Sequence, residues 1–489
     1  MAAQSIPIPP TNSGKAPRWT QPVSFYGQSV FSKYYAQSIC VFLLLVPFLI
    51  SPTAAQGQGA IGGQNCVTNY DAAANVDYFP SKITVDDAAL FKVRYANNYK
   101  VVTNTYKGNK DYVLYQCGTT PPATSEFANG TIFVSVPVKA VASLTTTSVA
   151  YIEMLGRRSA LKVVDTEGLV SSPCVQLGLE KGEIVGLEDK NQTLRADQFK
   201  GADLVFGAAE NGTETKSVST SEVSDPGPLN RAEWLEFYST FFNLEESAQK
   251  LTASINNNYN CFKDRANAKP TKPVVAWSSY VAPSIYNNNT ATWMFSSAPY
   301  KQILTTDAGA TLFNGTTKET FSNSAEFLAD LKKVDVIIDE TFTGSDMTSF
   351  LTSYQLTAAN TADYKFLQNK AVFRQDGLVN PNDGRDWFGG AVAMADATLQ
   401  DVIRATHPEV LPKDVKYNWL RNIAKENEPK QLLNSANCTT TDSSTPIPDR
   451  AITCSTMKVD DGKGSAANKA IAGSALTAIV GLLAAALVF

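Results

Sequence analysis

Histidine is almost absent from this sequence, in which His407 is the only one among 489 residues. With one histidine and no CxxC pair, a zinc site is not expected. The motifs of several common enzyme classes are lacking as well: there is no GxSxG nucleophile turn, no HExxH pair and no P-loop. We therefore expect that the protein is not an enzyme.

Basic charge is also scarce. The 42 lysine and arginine residues are outnumbered by 46 acidic residues, which gives a net charge of -4 and an isoelectric point near 5.4. Phosphate backbones attract proteins with a clustered basic surface, and no such stripe is present. Nucleic acid is therefore not an expected partner.

The single histidine lies at the end of an amphipathic helix. Apolar residues recur near helical spacing in the stretch "MADATLQDVIRATHPEVLP", residues 394–412, and Pro408 prevents the helix from continuing. An imidazole at a helix C-terminus can bond a free carbonyl and is favoured by the helix dipole. We expect His407 to be structural rather than catalytic.

The N-terminal residues predict secretion. An apolar run at residues 40–50 is followed by small residues, which is typical of a signal peptide, here with a long N-terminal extension, over residues 1–55. The run is too short to span a bilayer of about 30 Å. A linker is expected at residues 56–76.

The C-terminal residues predict an anchor. Small residues precede an apolar tail at residues 466–489, the pattern of a glycosylphosphatidylinositol (GPI) attachment signal, with Ser465 as the attachment residue. The alternative is a single C-terminal transmembrane helix, since the tail is just long enough to cross a membrane. We expect the protein on the extracellular face of the plasma membrane or on the cell wall.

Cysteines and glycosylation sequons fit a secreted glycoprotein. Six cysteines follow the signal, an even number that allows up to three disulfides: Cys66, Cys117, Cys174, Cys261, Cys438 and Cys454. We expect Cys438 to pair with Cys454, because the segment between them is short and closes at modest entropic cost. Sequons for N-glycosylation begin at Asn129, Asn191, Asn211, Asn288, Asn314 and Asn437.

Between its ends the chain divides into two α/β halves. Strand and helix patterns alternate over residues 77–229 and again over 267–430, which predicts largely parallel sheets. Apolar residues at three- and four-residue intervals over residues 230–266 predict one connecting helix of roughly 30 residues, or about 45 Å. Residues 431–465 are rich in Asn, Ser, Thr and Pro and predict a stalk.

Several stretches resemble the class III, helix-hinged periplasmic substrate-binding proteins of ABC importers. The resemblance covers roughly residues 77–425 and depends on "RAEWLEFYSTFFNLEESA", "PVVAWSSY", "SSAPYKQILTTDAGA", "VDVIIDET" and "DWFGGAVAMADATLQDVIRATHPEVLP". It implies two Rossmann-like lobes joined by one long helix, with a ligand cleft between the lobes. It also implies capture of a small ligand such as a ferric siderophore, haem or cobalamin. His407 falls on the structural histidine of that family.

Open α/β sheets bind ligands at the carboxyl ends of their strands. In the first lobe this rule nominates Thr147 and Ser148, for which helix capping is the alternative. In the second lobe it nominates five residues: Trp277, Tyr280, Glu340, Arg374 and Trp387. Aromatic and arginine side chains suit a planar, partly anionic metal chelate, whereas tryptophans at strand ends are as often part of the core.

One position departs from the family. Relatives that dock on a permease commonly carry a glutamate in the first helix of the first lobe, whereas this sequence has Ala150 there and Glu153 on another helical phase. Docking on a permease is therefore doubtful. No cofactor is expected, apart from any metal that belongs to the ligand itself. The alternative function is a surface structural or adhesion protein that reuses the scaffold without a ligand.

Overall fold

The computed structural model describes residues 63–165, 167–188, 190–207 and 216–458. The expected signal peptide, the GPI signal with Ser465, and the sequon at Asn211 lie outside these residues. The other five sequon asparagines are solvent-exposed. Within the described residues, no helix combines the length and the apolar character that crossing a membrane requires.

The first lobe contains two sheets and three helices. Its strands are β1 (Phe91–Tyr95), β2 (Tyr99–Asn104), β3 (Lys110–Gln116), β4 (Ile132–Val136), β5 (Val141–Ser143), β6 (Leu161–Val164), β7 (Val185–Gly186), β8 (Leu204–Phe206) and β9 (Ser217–Val218). Its helices are α1 (Thr146–Met154), α2 (Pro173–Glu180) and α3 (Gln192–Lys200).

The second sheet of this lobe is fully parallel. Its strand order is β7-β6-β5-β8-β9, while β1 to β4 form a separate four-stranded sheet. The order reverses at β5, so the carboxyl ends of β5 and β8 lie next to each other and α1 begins there. Such a reversal point is where doubly wound sheets collect ligands.

The connection between the lobes is three helices rather than the single helix expected from the sequence. These are α4 (Pro228–Ala232), α5 (Trp234–Thr240) and α6 (Glu245–Asn267), and α6 spans about 35 Å. The break after α5 is at Asn243, whose backbone is left-handed at φ 52°. Its side chain accepts a hydrogen bond from Lys100 and donates one to Gln116. Asparagine tolerates this conformation, so the chain turns without interrupting the apolar periodicity.

The second lobe has a mixed sheet. Its strands are β10 (Val274–Val281), β11 (Thr292–Phe295), β12 (Thr311–Leu312), β13 (Thr320–Phe321), β14 (Val336–Asp339), β15 (Val372–Arg374), β16 (Leu378–Val379), β17 (Arg421–Asn422) and β18 (Gln431–Leu432). Its helices are α7 (Pro299–Asp307), α8 (Ser324–Leu331), α9 (Met347–Ser353), α10 (Lys365–Gln368), α11 (Gly390–Ala393) and α12 (Ala395–Thr406). Strands β10, β14 and β15 are parallel. The sheet is extended by β11 and β17, which are antiparallel to β10 and β15, and by β13, which is antiparallel to β11. The expectation of two α/β lobes is confirmed.

One hydrophobic core runs through both lobes. It joins β2 and β3 of the first sheet, the aromatic residues of α5, helix α6, and helices α11 and α12 of the second lobe. A second cluster fills the other face of the second lobe, around Phe327 and Tyr354. Because the larger core is continuous across the junction, separating the lobes would expose apolar surface.

The segment expected to be a stalk is instead packed on the domain as far as it is described. We call residues 434–457 the strap. It is joined to α2 by a Cys174–Cys438 disulfide and to α6 by a Cys261–Cys454 disulfide. The predicted Cys438–Cys454 pairing is therefore wrong: each cysteine of the strap has a partner on the body of the protein, so chain proximity did not determine the pairing.

The third disulfide corrects the expected linker at residues 56–76. Cys66 is bonded to Cys117, and the backbone N–H of Val67 donates to the carbonyl of Cys117. The side chain of Gln64 reaches the carbonyl of Phe242. The described part of this segment, from residue 63 onward, is thus fixed against the first lobe rather than free.

Candidate functional site at the junction of the lobes

The carboxyl ends of β14 and β15 carry a buried charge network. Asp339 Oδ2 lies 2.5 Å from Arg374 Nη1, and both side chains are 0% exposed. Asp339 Oδ1 accepts from Tyr354 and from the hydroxyl of Thr341, at 2.9 and 2.5 Å. Arg374 Nη2 donates to the carbonyl of Thr341 at 2.5 Å, and its Nε lies 3.5 Å from Asp376. We call these residues the strand-end network. Apart from Arg374 Nε, which has no hydrogen-bond partner among the described residues, their polar atoms bond to one another, so Arg374 is placed to hold the sheet together rather than to touch a ligand.

The tryptophan and serine predicted to bind ligand are also interior residues. Trp277 is fully buried, and its indole N–H donates to Thr305 at 2.9 Å. Ser148 is fully buried, and its hydroxyl lies 2.7 Å from the hydroxyl of Tyr238. The helix cap is Thr145, which accepts from the backbone N–H of Ser148. Neither side chain is open to a ligand in this arrangement.

The three remaining predicted residues are partly or fully buried in contacts with other elements: Thr147, Tyr280 and Trp387. The hydroxyl of Thr147 donates to the carbonyl of Phe388 at 2.8 Å, so it links the two lobes. Tyr280 is partly buried against Trp293, with ring centroids 5.4 Å apart. Trp387 is buried, and its ring centroid lies 5.8 Å from that of Trp277.

Only Glu340, among the predicted residues, sits in a charged group that reaches the surface between the lobes. Its carboxylate lies 2.5 Å from Lys301 Nζ and accepts from Gln375 at 3.0 Å. Lys301 and the neighbouring Tyr300 belong to the first turn of α7. The guanidinium of Arg231, from α4, lies 3.8 Å from the centre of the Tyr300 ring. A row of charged and aromatic groups therefore crosses from α4 to the end of β14.

Exposed aromatic rings border this row. Phe342 follows the end of β14 and is 77% exposed, with the Arg385 guanidinium 5.3 Å from its ring centre. Arg385 also donates to the carbonyl of Phe342 at 2.8 Å. Phe388, three residues beyond Arg385, is 53% exposed. We call this surface the interlobe mouth, formed by Arg231, Tyr300, Lys301, Glu340, Phe342, Arg385 and Phe388.

Little space is left beside Arg231 and Tyr300. A cavity of about 20 Å³ lies there, bordered by Arg231, Tyr300 and Trp387, which is room for roughly one water molecule. Burial raises the pKa of Tyr300, and the nearby Glu340 carboxylate raises it further, so the phenol is neutral at ordinary pH.

His407 has the structural role expected of it. Helix α12 ends at Thr406, and the backbone N–H of His407 donates to the carbonyl of Ile403 at 2.6 Å. The ring Nε2 lies 3.1 Å from the carbonyl oxygen of Gly309, and Nδ1 lies 3.3 Å from Glu409. The ring thus bonds the turn after α7, not a carbonyl of its own helix, and links two elements of the second lobe.

The face of α1 where permease-bound relatives carry a glutamate is covered. Ala150 and Glu153 are both buried, and the backbone N–H of Ile447 in the strap donates to the carbonyl of Glu153 at 3.1 Å. Neither residue is accessible to a second protein while the strap is in place. Among the described residues, no cluster of three or more His, Cys, Asp or Glu side chains is placed to hold a metal ion.

Of the interlobe mouth, sequence reasoning nominated Glu340 alone. It missed six residues: Arg231, Tyr300, Lys301, Phe342, Arg385 and Phe388. Tyr300 and Phe388 stand inside the stretches "SSAPYKQILTTDAGA" and "DWFGGAVAMADATLQDVIRATHPEVLP". Their positions just before a helix or at its first turn were a usable signal. Nothing in the sequence distinguishes an exposed phenylalanine from a buried one, so Phe342 was not predictable.

Comparison with known proteins gives structural similarity only. No family model and no curated protein matches the chain. Similar solved structures include a possible iron-binding, periplasmic solute-binding protein from Staphylococcus epidermidis, with 13% identity over 55% of this chain and 99% of that chain and a TM-score of 0.40. A periplasmic haem-binding protein from Pseudomonas aeruginosa has 14% identity over 58% and 97%, with a TM-score of 0.40. A periplasmic binding protein from Veillonella parvula has 10% identity over 63% and 98%, with a TM-score of 0.43. These values are too low to assign the chain to a family.

Proposed function

We propose that the protein is a solute-binding protein that captures a small metal chelate, such as a ferric siderophore, haem or a cobalamin, at the interlobe mouth. The observation that carries the proposal is the exposed ring of Phe342, which has the Arg385 guanidinium 5.3 Å from its centre, together with the exposed ring of Phe388 three residues beyond Arg385. Arg231 and Lys301 are the other cationic groups of the interlobe mouth. Aromatic rings left in water gain free energy when a flat ligand covers them. The cations would be attracted to the acidic groups that many chelates carry.

The position of these groups agrees with the topology. Glu340 and Phe342 follow β14, and Arg385 belongs to the segment that leads from β16 to α11. They gather at the carboxyl edge of the second sheet, where open α/β sheets bind ligands. We propose binding without catalysis.

We also propose that the protein acts outside the cell, held by a C-terminal GPI anchor. Support for an oxidising compartment comes from the six cysteines of the described chain, all of which are in disulfides. Phosphatidylinositol-specific phospholipase C should release the protein from intact cells. Retention after treatment, with the C-terminal peptide still detectable, would contradict the lipid anchor.

Calorimetric titration tests the ligand proposal. Wild type should bind at least one of haem, a ferric siderophore or a cobalamin. Phe342→Ala and Phe388→Ala should each weaken that binding by about thirtyfold, or on the order of 2 kcal/mol, because each removes an apolar contact. Phe127→Ala is the matched control, since Phe127 is a partly exposed ring that packs against Tyr99 and Phe133 in the first sheet.

Two outcomes would contradict the proposal. Absence of binding to all three ligand types would favour the alternative, a surface structural or adhesion protein on the same scaffold. Binding that is unchanged in both mouth variants would show that the ligand occupies another surface. Unfolding curves of the variants should match wild type, because the two rings are exposed.

A further inference from the structure

The loop between β10 and β11 presents an aromatic ring to solvent. The ring belongs to Tyr286, which is 94% exposed, against 77% for Phe342 of the interlobe mouth. The preceding residue, Ile285, is 79% exposed. Within the described residues, the Tyr286 side chain makes no ring, cation or hydrogen-bond contact. Two adjacent apolar side chains left in water gain free energy when a further group covers them.

The same loop holds an asparagine that can receive such a group. Asn288 begins one of the six N-glycosylation sequons and stands two residues after Tyr286. Its side chain is exposed, and its amide has no hydrogen-bond partner in the described part of the chain. Two residues span at most about 7 Å, so a sugar linked to the Asn288 amide is within reach of the Tyr286 ring.

Hydrogen bonds within the loop hold its backbone in one arrangement. The N–H of Asn289 donates to the carbonyl of Ser284 at 2.8 Å, and that of Thr290 to the carbonyl of Asn287 at 3.1 Å. The side chain of Asn287 accepts from the N–H of Ser284 at 2.7 Å. Asn288 and Asn289 are left-handed, at φ 54° and 53°, a conformation that asparagine tolerates. Little backbone freedom is therefore left to lose when a sugar and the ring meet.

The same spacing recurs at one other sequon, where the ring is already packed. Of the six sequons, only those at Asn129 and Asn288 have an aromatic residue two positions earlier. At Asn129 that residue is Phe127, whose ring centroid lies 5.9 Å from that of Tyr99 and 5.4 Å from that of Phe133. A glycan at Asn129 therefore has less aromatic surface to cover.

We propose that Asn288 carries an N-linked glycan whose first N-acetylglucosamine packs on the ring of Tyr286. The C–H groups on one face of the sugar contact the negative face of the aromatic ring, and apolar surface is removed from water. The sugar shields the tip of the loop and stabilises its turn. This inference rests on the proposed extracellular location, because sequons are glycosylated in secreted proteins.

Hydrogen exchange of the loop, measured by mass spectrometry, tests the contact. The full-length protein is produced in a eukaryotic host as wild type, Tyr286→Ala, Asn288→Gln and the double variant. The amides of Asn289 and Thr290 close the turn, so their exchange reports its opening. We expect Tyr286→Ala to speed this exchange about fivefold when Asn288 is glycosylated, and by less than about twofold when glutamine replaces Asn288.

Two controls locate the effect. Trimming high-mannose glycans to the first sugar with an endoglycosidase should leave the effect of Tyr286→Ala in place, because only that sugar touches the ring. The matched pair is Phe127→Ala with Asn129→Gln, read at the amide of Thr131, which donates to the carbonyl of Ala128 at 3.1 Å. These two substitutions should act independently, since the Phe127 ring is already packed.

Three results would overturn the proposal. The first is a peptide map in which Asn288 is unmodified while other sequons carry glycans. The second is a set of exchange rates in which the effects of Tyr286→Ala and Asn288→Gln simply add. The third is equal coupling in the pair at Phe127 and Asn129, which would separate the effect from ring exposure. Absence of glycans from every sequon would contradict the extracellular location as well.

Discussion

The strand-end network and the Glu153–Arg158 pair beneath the strap are both buried and both charged. They differ in how their charges are paired. In the strand-end network, Asp339 receives donors on both oxygens and lies 2.5 Å from Arg374. In the second, Glu153 Oε1 and Arg158 Nη1 lie 3.6 Å apart, and neither atom has a hydrogen-bond partner among the described residues. Arg374 Nε in the strand-end network also lacks a partner there, so neither charge burial nor a single unpaired atom marks a binding site by itself.

The largest expected effect comes from breaking the strand-end network. Arg374→Met leaves the Asp339 carboxylate buried without its cation, which should lower the free energy of unfolding by about 3–5 kcal/mol. Urea denaturation measures the change. Lys250→Met is the control, because its ion pair with Glu246 is largely exposed and should contribute nothing measurable. A similar effect of the two substitutions would contradict the structural role of Arg374.

The next effect concerns the strap. Replacing Cys174 and Cys438 together by serine frees one end of it and should lower the free energy of unfolding by about 2–5 kcal/mol. Chemical unfolding without reductant measures the loss. Peptide mapping without reduction should link Cys438 to Cys174. A Cys438–Cys454 peptide would restore the stalk expected from the sequence.

A smaller effect depends on pH. Burial raises the pKa of Glu222 from 4.5 to about 7, so the folded protein holds this proton more tightly than the unfolded chain does. The contribution of Glu222 to the free energy of unfolding is therefore fully present below about pH 4.5. It is lost as the pH rises through about 7. Glu222→Gln should therefore be more stable than wild type at pH 8, by on the order of 2 kcal/mol, and nearly equal to it at pH 4.5. Parallel pH profiles of the two proteins would show that Glu222 is not buried beside Tyr238 and Ser148.

His407 gives the smallest of these effects. His407→Ala leaves the buried carbonyl of Gly309 without its partner, which should cost about 1–2 kcal/mol of unfolding free energy. Affinity for a metal chelate should stay as in wild type, because the imidazole is buried at the end of α12. A selective loss of affinity in this variant would move the ligand site away from the interlobe mouth.

The alternation of strands and helices was predictable because it depends on local periodicity. The break at Asn243 was not, since the apolar spacing of α5 continues into α6 across it. The strap was misread because its composition resembles a linker. Ile447, Ile452 and two cysteines within it were the available signs of packing, and Cys454 proves to be fully buried.

Prediction of the site was limited because the sequence does not show which side chains face solvent. The carboxyl-end rule led to residues at the ends of β10, β14 and β15, but it does not say which side chains point outward. Arg374 and Trp277 are turned into the protein, while Phe342, two residues beyond Glu340, is turned into solvent. Arg374 is oriented by its ion pair with Asp339, and Trp277 by its hydrogen bond to Thr305. Both partners are distant in sequence, so local sequence patterns do not predict these orientations.

The most direct test of the interlobe mouth is the mass and visible absorption spectrum of the ligand that co-purifies with protein secreted without its C-terminal tail. We expect one metal chelate per chain on wild type, and none on a variant that combines Phe342→Ala with Phe388→Ala. A wild type with the mass of the bare chain, which also fails to take up haem, a ferric siderophore or a cobalamin when these are added, would contradict solute binding at the mouth.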